Sequence, residues 1–565
     1  MAGRAMRWMQ WLLAALLAAC GVPGQQNQFA AGGADQEAGS DAGDLGWDST
    51  EAASDAADTA ADQSESVDSA GGDQAAGGGD TLADAAVADT PQVDVPATDS
   101  ASADSNLADV GAADAGPAAP APPTLAQVDA ALQSGDAAPL QKLLATYDMP
   151  VCEAGQCRFL VMAKGAQSVE IMGDWHDWAT PDAATPVPGV PGLFTTKVAV
   201  DTSKTRQYKV KIDGQWAIDP SNPYFAFAGL GPNSAIYPAN HSRLRWIGGV
   251  QSPQLNNVRN LYVYLPAAYF QNLAEYFPVL YWQDGFNVFT SPLAPFGDWK
   301  VDQISDEGMA SGAVAPVIQV GVDTSDRMSE YVWAPLDDGT KVYPPKIAQY
   351  AAFLVDTVKP MIDKQFRTLP GRDHTAIGGS SLGGNASLWI AWQHWQVFGR
   401  LASFSGALWV GEGISFETGK PSEGPSMRAI IAENAAKVPK GALRVYLDSG
   451  DTDFDGTACY ECDSWANTDW TRNALIAAGW DDRPEWDTDG NPATPLPNLP
   501  YSTKVAKVPA LAWSAKPPAG KTWSDYLQLS HNLVCLVGHG HMHNEGAWNL
   551  RAPAALRFLF PGKNP

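Results

Sequence analysis

Apolar and polar positions divide the chain into four stretches of different period. Trp8 to Ala19 is an apolar run of about 12 residues, and from Gly21 to Pro123 apolar periodicity disappears altogether. Residues 124–148 (TLAQVDAALQSGDAAPLQKLLATYD) read as two short helical turns interrupted by Gly135 and Pro139, a lead-in to the next stretch. From Arg158 the period becomes two, in Phe159-Leu160-Val161, Val169 to Met172, Thr196 to Val200 and Gln207 to Ile212, each bounded by turn residues. Short alternating runs at this spacing predict a small β-sandwich over 151–245. From about 255 short apolar runs alternate with longer helical patterns. The predicted strands are Asn260–Leu265, Pro278–Gln283, Val317–Asp323, Thr375–Gly378, Leu401–Phe404, Leu443–Asp448 and Leu533–Val537; the predicted helices are Lys346–Phe366, Leu382–Trp395, Thr468–Ala478 and Gly546–Leu559. That order predicts an α/β domain with a mostly parallel sheet over 250–562.

The N-terminus changes how much of the 565-residue chain builds a core. Arg4 and Arg7 precede the apolar run, which is too short to span a bilayer and ends in Leu17-Ala18-Ala19-Cys20. Residues 1–20 resemble a lipoprotein signal peptide, and the resemblance implies lipidation of Cys20, export, and membrane attachment through that lipid. Gly21 after the cysteine points, by the same rule, to the outer membrane of a Gram-negative envelope. Residues 21–123 carry 20 acidic residues and no Lys or Arg. Low hydrophobicity and charge of one sign predict a disordered acidic tether. Without the tether's acids and the two leading arginines, the 36 basic and 63 acidic residues become 34 and 43, a net charge of −9 in place of −27. The folded part is mildly acidic and shows no basic nucleic-acid footprint.

Apart from Cys20 the cysteines are Cys152, Cys157, Cys459, Cys462 and Cys535. In an exported protein the near pairs Cys152/Cys157 and Cys459/Cys462 are expected as disulfides, with Cys535 a buried thiol; spacing also allows Cys535 to pair with Cys459 or Cys462.

Candidate chemistry centres on Gly379-Ser380-Ser381-Leu382-Gly383, lying between the predicted strand Thr375–Gly378 and the helix from Leu382. Strand, sharp turn and helix around GxSxG describe a nucleophile elbow, in which side chains at Gly379 and Gly383 would collide with neighbouring backbone. An alcohol is nearly inert at neutral pH, so Ser381 requires a base. An α/β-hydrolase fold supplies its partners in the order Ser, acid, His. The last apolar run is followed by His539, His541 and His543. An oxyanion also needs donors, of which the Leu382 N–H is one.

Four segments together carry a family resemblance: Leu280 to Phe286, Val320 to Asp323 with Arg327 to Tyr331, Gly378 to Gly384, and His543-Asn544-Glu545-Gly546-Ala547-Trp548. Over about 250–562 the chain resembles the esterase D and enterochelin-esterase-like carboxylesterases, which include feruloyl-esterase relatives. The resemblance implies His543 as catalytic histidine, with His541 the fallback. It implies Asp453, three residues after Gly450, as the acid; Asp451 is its rival, and Asp448 belongs to the strand end. It also implies the Phe286 N–H, after Asp284-Gly285, as second oxyanion donor, which puts Asp284 near the substrate. Trp282, Trp299, Trp333 and Trp409 fall in predicted loops near strand ends, where hydrolase sites gather, and either stack on the substrate or pack the loops together. Gly173 to Trp178, Tyr208 to Gly214 and Asp219 to Pro223 resemble early-set immunoglobulin-like modules related to glycan-binding domains. There Trp175 and Trp178 either pack the sandwich, the favoured reading, or stack on a sugar. Asp451-Thr452-Asp453-Phe454-Asp455-Gly456 begins like a calcium loop, but Cys462 stands where the bidentate Glu belongs, so no metal or other cofactor is expected. The expected activity is hydrolysis of an ester through an acyl-enzyme, and the resemblance implies feruloyl or acetyl esters on polysaccharide or siderophore trilactones as substrates. The alternatives are acyl transfer to a sugar and a surface glycan-binding protein with an inactive hydrolase domain.

Overall fold

The computed structural model describes residues 120–228, 231–292, 294, 296–338, 340–411, 424–453, 456–458, 462–480, 532–538 and 540–563. The expected signal peptide, the lipidation site Cys20 and most of the acidic tether lie outside these residues. Among the described residues no helix is long and apolar enough to cross a membrane.

The lead-in forms two helices, α1 (Leu125–Gln133) and α2 (Ala137–Thr146). Thr124 starts α1 with a capping box, its hydroxyl accepting from Gln127 N–H at 3.2 Å while Gln127 Oε1 accepts from Thr124 N–H at 2.8 Å. Gly135, at φ +69°, breaks the pair as expected. Pro139 does not; it sits in the first turn of α2, where its missing N–H costs no helical bond. Leu125, Val128 and Leu140 pack on Leu160, Val187 and Leu193 of the following sheet.

That sheet is antiparallel and comprises β1 (Val151–Glu153), β2 (Gln156–Met162), β3 (Val169–Gly173), β4 (Asp182–Pro186), β5 (Leu193–Ala199), β6 (Arg206–Ile212), β7 (Gln215–Ala217), β8 (Phe225–Ala228) and β9 (Gly231–Ile236). Its path runs β1-β2-β5-β4-β3-β6-β9-β8, with β7 beside β6. Phe159 on β2 and Tyr208 on β6 are four strands apart on that path, roughly 19 Å in a flat sheet at about 4.8 Å per strand. Their ring centroids are nevertheless 5.2 Å apart. The sheet therefore folds over on itself around Phe159, Val161, Ile171, Phe194, Tyr208 and Val210, which makes it a sandwich. Cys152 and Cys157 face each other across the β1–β2 hairpin and form a disulfide. Trp175 packs against Phe159 and Tyr208 and donates its Nε1–H to Asp182 at 2.9 Å, which is the packing role. Asp219 and Asn222 bond the Tyr208 hydroxyl at 2.7 and 3.1 Å, so the Asp-Pro-Ser-Asn-Pro segment is a buried structural corner.

The α/β domain begins earlier than expected. β10 (Arg243–Ser252) pairs antiparallel with β11 (Asn257–Leu265), so it belongs to the second sheet although it straddles the anticipated boundary. The remaining strands of that sheet are β12 (Val279–Gln283), β13 (Ile318–Val322), β16 (Thr375–Ser380), β17 (Arg400–Phe404), β18 (Arg444–Gly450) and β19 (Leu533–Gly538); β14 (Leu336–Asp337) and β15 (Val342–Tyr343) form a separate small hairpin. The order is β10-β11-β13-β12-β16-β17-β18-β19, parallel from β13 onward. Each of the seven strands expected in this domain is present, shifted by no more than three residues at either end. Alternation along the strands divides the core: Val279, Tyr281, Ile377, Leu401 and Val445 face one layer, Leu280, Trp282, Ala376, Ala402 and Tyr446 the other. The expected helix Lys346–Phe366 is interrupted by a π-turn over Phe353–Val358. Pro360 follows directly, and its missing N–H explains the lost register.

Candidate active site

Ser381 stands between β16 and helix α3 (Leu382–Gln393) at φ +55°, ψ −127°, a conformation costly for a residue with a side chain. The surrounding bonds over-determine it. Its N–H donates to Phe404 O at 3.0 Å, and its carbonyl accepts from Asn385 and Ala407 N–H at 3.0 and 2.9 Å. A Cβ at Gly379 would lie 2.8 Å from the Gly383 carbonyl carbon, and one at Gly383 would lie 2.9 Å from Gln283 Cβ. The two glycines are thus required by close approach, of the Gly383 backbone and Gln283 at Gly379 and of the Gln283 side chain at Gly383.

The turn after β12 faces this elbow. Asp284 has φ +56° and leads into the short helix α4 (Gly285–Val288). Its carboxylate, 6% exposed, is clamped by Arg327, with Nε at 3.0 and 3.1 Å from its two oxygens and Nη2 at 3.0 Å. The Asp284 N–H donates to the Tyr331 hydroxyl at 3.1 Å. A Cβ at Gly285 would come within 2.5 Å of Gly321 in β13, so the turn is packed hard onto the neighbouring strand. Leu382 and Phe286 each lie in the first turn of a helix, where backbone N–H groups have no intrahelical acceptor. Both sit at the C-terminal ends of adjacent strands, β16 and β12.

Asp284 was expected beside the substrate; it is instead engaged by Arg327 and holds this turn. Trp282 is also corrected. It points into the core, fully buried, with Nε1–H donating to Gln319 at 2.8 Å and its ring against Trp299 and Phe404. Strand alternation put it beneath the sheet's end, not at the rim. Trp333 and Trp409 are half-buried and pack against the core layer on the sheet's other face; Trp333 Nε1–H donates to Pro425 O at 2.8 Å.

The acid is where the structure departs most from expectation. His543 Nδ1 is hydrogen-bonded to the carboxylate of Asp463, not of Asp453. Asp463 precedes helix α5 (Trp465–Ala477), and both it and Ser464 have positive φ, +47° and +63°. Its second carboxylate oxygen accepts from the Gly450 N–H and from Ser405 Oγ–H, the latter at 2.7 Å. Ser449 Oγ–H donates to its carbonyl. Gly450, the landmark for the expected acid, has another duty: a Cβ there would lie 2.6 Å from Asp463 Oδ2 and 2.0 Å from His541 O. The chain therefore leaves β18, turns, and returns to place residue 463 beside the glycine. Asp453 closes that turn, its N–H on Thr457 O and its carbonyl accepting from Gly456 N–H, both at 2.9 Å. Asp451 braces the histidine loop by accepting from Gly540 N–H at 2.8 Å.

A buried cluster supports the pair. Ser405, just beyond β17 at φ +44°, accepts from Trp548 Nε1–H at 3.0 Å and from Arg551 Nη2–H at 2.7 Å. Arg551 is fully buried and ion-paired with Asp448 at 3.1 Å, while Trp548 stands edge-on to the His543 ring at 5.2 Å. Trp548 and Arg551 lie on helix α6 (Glu545–Leu559), directly after the histidine. Burial pushes Asp448 up to about 6 against the opposing Arg551 charge. Burial acts on Asp463 in the same sense, but facing His543, Arg551 and Ser405 outweigh it and hold the carboxyl below its usual range. No sequence motif surrounds Asp463; its signal was an Asp opening a helix next to a cysteine. Cys462 is disulfide-bonded, and Cys459 lies outside the described residues. Cys535 is half-buried and, among the described residues, in no disulfide.

His541 braces the loop through its backbone, its carbonyl accepting from Thr452 N–H at 3.2 Å, and its Nδ1 lies 3.4 Å from Arg551. His539 lies outside the described residues. Among the described residues no group of three or more His, Cys, Asp or Glu is arranged to hold a metal. Asp487-Thr488-Asp489-Gly490-Asn491, which echoes the Asp451 to Gly456 segment in sequence, lies outside them.

Ser381, Asp463 and His543 follow strands β16, β18 and β19 on one edge of the sheet. β17 links them, since Phe404 accepts the Ser381 N–H and the next residue, Ser405, bonds Asp463.

Parts of the chain are similar to known proteins. Residues 252–478 match the family model described as "Putative esterase", so this segment is of an esterase-like family. The matched residues contain Ser381 and Asp463 and end before His543. An uncharacterized protein of Bacillus subtilis (strain 168) is 23% identical over 154 residues, which cover 27% of this chain and 58% of that protein. The chain thus spans less than two thirds of the length of this curated relative. Among solved structures, a ferulic acid esterase is 18% identical with TM-score 0.37, the match covering 57% of this chain and 98% of the other. The enterobactin esterase of Shigella flexneri is 13% identical with TM-score 0.34, covering 72% and 93%. A ferulic acid esterase of Anaeromyces mucronatus, solved with ferulic acid, is 16% identical with TM-score 0.35, covering 56% and 90%. The parallel strand order from β13 to β19, with the Ser381 turn between β16 and α3, is an α/β-hydrolase-like fold.

Proposed function

We propose that the protein is a serine carboxylesterase whose triad is Ser381, His543 and Asp463. The observation that carries this reading is the His543–Asp463 bond at the same sheet edge as a serine held in a strained, glycine-flanked turn. In the reaction His543 Nε2 takes the hydroxyl proton as Ser381 Oγ attacks the ester carbonyl. The Leu382 and Phe286 N–H groups receive the oxyanion. Collapse expels the alcohol, which takes the proton from His543 and leaves an acyl-serine. Water, deprotonated by the same nitrogen, releases the acid and restores the serine. Asp463 holds the imidazole tautomer and stabilises its protonated form.

The ester is proposed to be carbohydrate-linked or a siderophore-type lactone, on the family resemblance alone. The sandwich is proposed as an early-set immunoglobulin-like module. Residues 1–123 are proposed as a lipoprotein signal and tether that anchor the enzyme to the cell envelope through Cys20. Full-length protein should hydrolyse a short p-nitrophenyl ester and react with a fluorophosphonate, and Ser381→Ala should do neither; equal rates from both proteins overturn the reading. Metabolic labelling with a palmitate analogue, lost in Cys20→Ser, tests the anchor.

A further inference from the structure

Glu545 is a buried carboxyl two residues after His543 that the proposed reaction leaves unused. It is the first residue of helix α6, whose cap is Asn544, with Oδ1 accepting from Ala547 N–H at 2.9 Å. Its side chain turns toward the oxyanion turn, where Asn287 Nδ2 donates to Glu545 Oε1 at 3.1 Å. Both residues are largely shielded, at 7% and 6% exposure. Asn287 is the residue after Phe286 and is fixed from both sides. Its N–H donates to Asp284 O at 3.1 Å, and its carbonyl accepts from Trp299 N–H at 2.9 Å. A second stitch runs parallel to the first, Asn549 Nδ2 donating to Trp299 O at 2.6 Å. Helix α6 and the oxyanion turn, 258 residues apart in sequence, are thus joined one residue from the donor and two from the histidine.

Burying a carboxyl is costly, and burial pushes Glu545 up to about 7, with the Arg327 charge opposing and Asp284 adding to that shift. A group placed at such cost and bonded to one partner across the site has a use there.

We propose that Glu545 is a positioning residue which, through Asn287, sets the Phe286 N–H in register with the His543 ring. The proposal rests on the serine-hydrolase reading. An oxyanion donor acts only at its transition-state distance, so a loosened turn lowers kcat and leaves substrate binding almost unchanged.

Four variants of the full chain test it: Glu545→Ala, Glu545→Gln, Asn287→Ala and the double alanine. With p-nitrophenyl acetate, Glu545→Ala and Asn287→Ala should each lower kcat about tenfold and change KM less than about twofold. The double variant should be no worse than either single one, because they break the same bond. Glu545→Gln, which keeps an acceptor oxygen for Asn287, should return to within about threefold of wild type. Inhibition by phenylboronic acid, whose tetrahedral adduct mimics the oxyanion, should weaken by the same factor as kcat. Wild-type kcat in Glu545→Ala, additive losses in the double variant, or a glutamine variant as poor as the alanine would each overturn the proposal. If Glu545→Ala does not fold, Asn287→Ala and the glutamine variant decide by the same criteria. Ser381-dependent hydrolysis with an unaffected Glu545→Ala overturns this inference alone; a wild type without Ser381-dependent hydrolysis overturns the reading beneath it as well.

Discussion

The nucleophile turn and the acid–histidine corner lie at one edge of one sheet, yet they are built differently. Ser381 is held by residues 379–385, by β17 through Phe404, and by β12, whose Gln283 packs against the flanking glycines. Its requirements are steric and local: two glycines and a strained φ. The corner draws on Gly450, Asp463, Ser405, His543 and Arg551, brought together from four separate segments. A site whose constraint is local excluded volume tolerates no substitution at a few adjacent positions. One whose constraint is a shared hydrogen-bond network depends on residues that no short pattern joins.

The largest expected effect removes the local side altogether. Ser381→Ala should reduce ester hydrolysis by about 10⁴-fold or more, since removing the nucleophile of a triad leaves only oxyanion and binding effects. The distant side should prove nearly as sensitive: Asp463→Asn should cost about 10⁴-fold in kcat by presenting an amide to His543 Nδ1. Asp453→Asn, by contrast, should stay within about threefold, because Asp453 closes a turn. If steady-state rates reverse that order, the acid corner is drawn wrongly. In urea unfolding, Gly379→Ala and Gly383→Ala should each lose about 1–3 kcal/mol by overpacking, with the serine itself intact. Ser405→Ala is the matching probe of the network. It leaves Asp463, Arg551 and Trp548 one partner short, and about 1–2 kcal/mol of stability with a several-fold fall in kcat should follow.

A further expected effect concerns pH. Asp448, raised to about 6 by burial, binds its proton more tightly in the folded protein than in the unfolded chain. Its contribution to stability is complete below about pH 4 and is lost as pH rises through about 6. Asp463, held low, contributes in the opposite sense, keeping its stabilising charge until pH falls below the usual carboxylate range. Asp448→Asn should therefore remove a decline of at most about 1.4 kcal/mol per pH unit between pH 4 and 6, read from urea midpoints.

The same contrast explains what could be read beforehand. The elbow was legible because strand, glycine, serine and helix are contiguous, and His543 because a loop after the last apolar run carries it. Trp282 was misjudged by proximity in sequence: a strand's last residues alternate between core and rim, and only the packing says which side faces inward. Asp453 was misjudged because position after Gly450 stood in for position in space. After that glycine the chain makes a turn, closed in part by Asp453 itself, and comes back to Asp463, which like Ser464 after it has positive φ.

Apolar periodicity by itself determined the alternation of strands and helices, the lead-in and alternating sandwich strands ahead of the parallel domain, and the position of the glycine-flanked serine. Each follows from interactions within one turn or one strand. Tertiary structure alone decided which of several aspartates meets the histidine, which tryptophans are core, and that Glu545 reaches across to Asn287. Those outcomes depend on where long connections return. Return paths are set by the packing of whole layers, which no local pattern encodes.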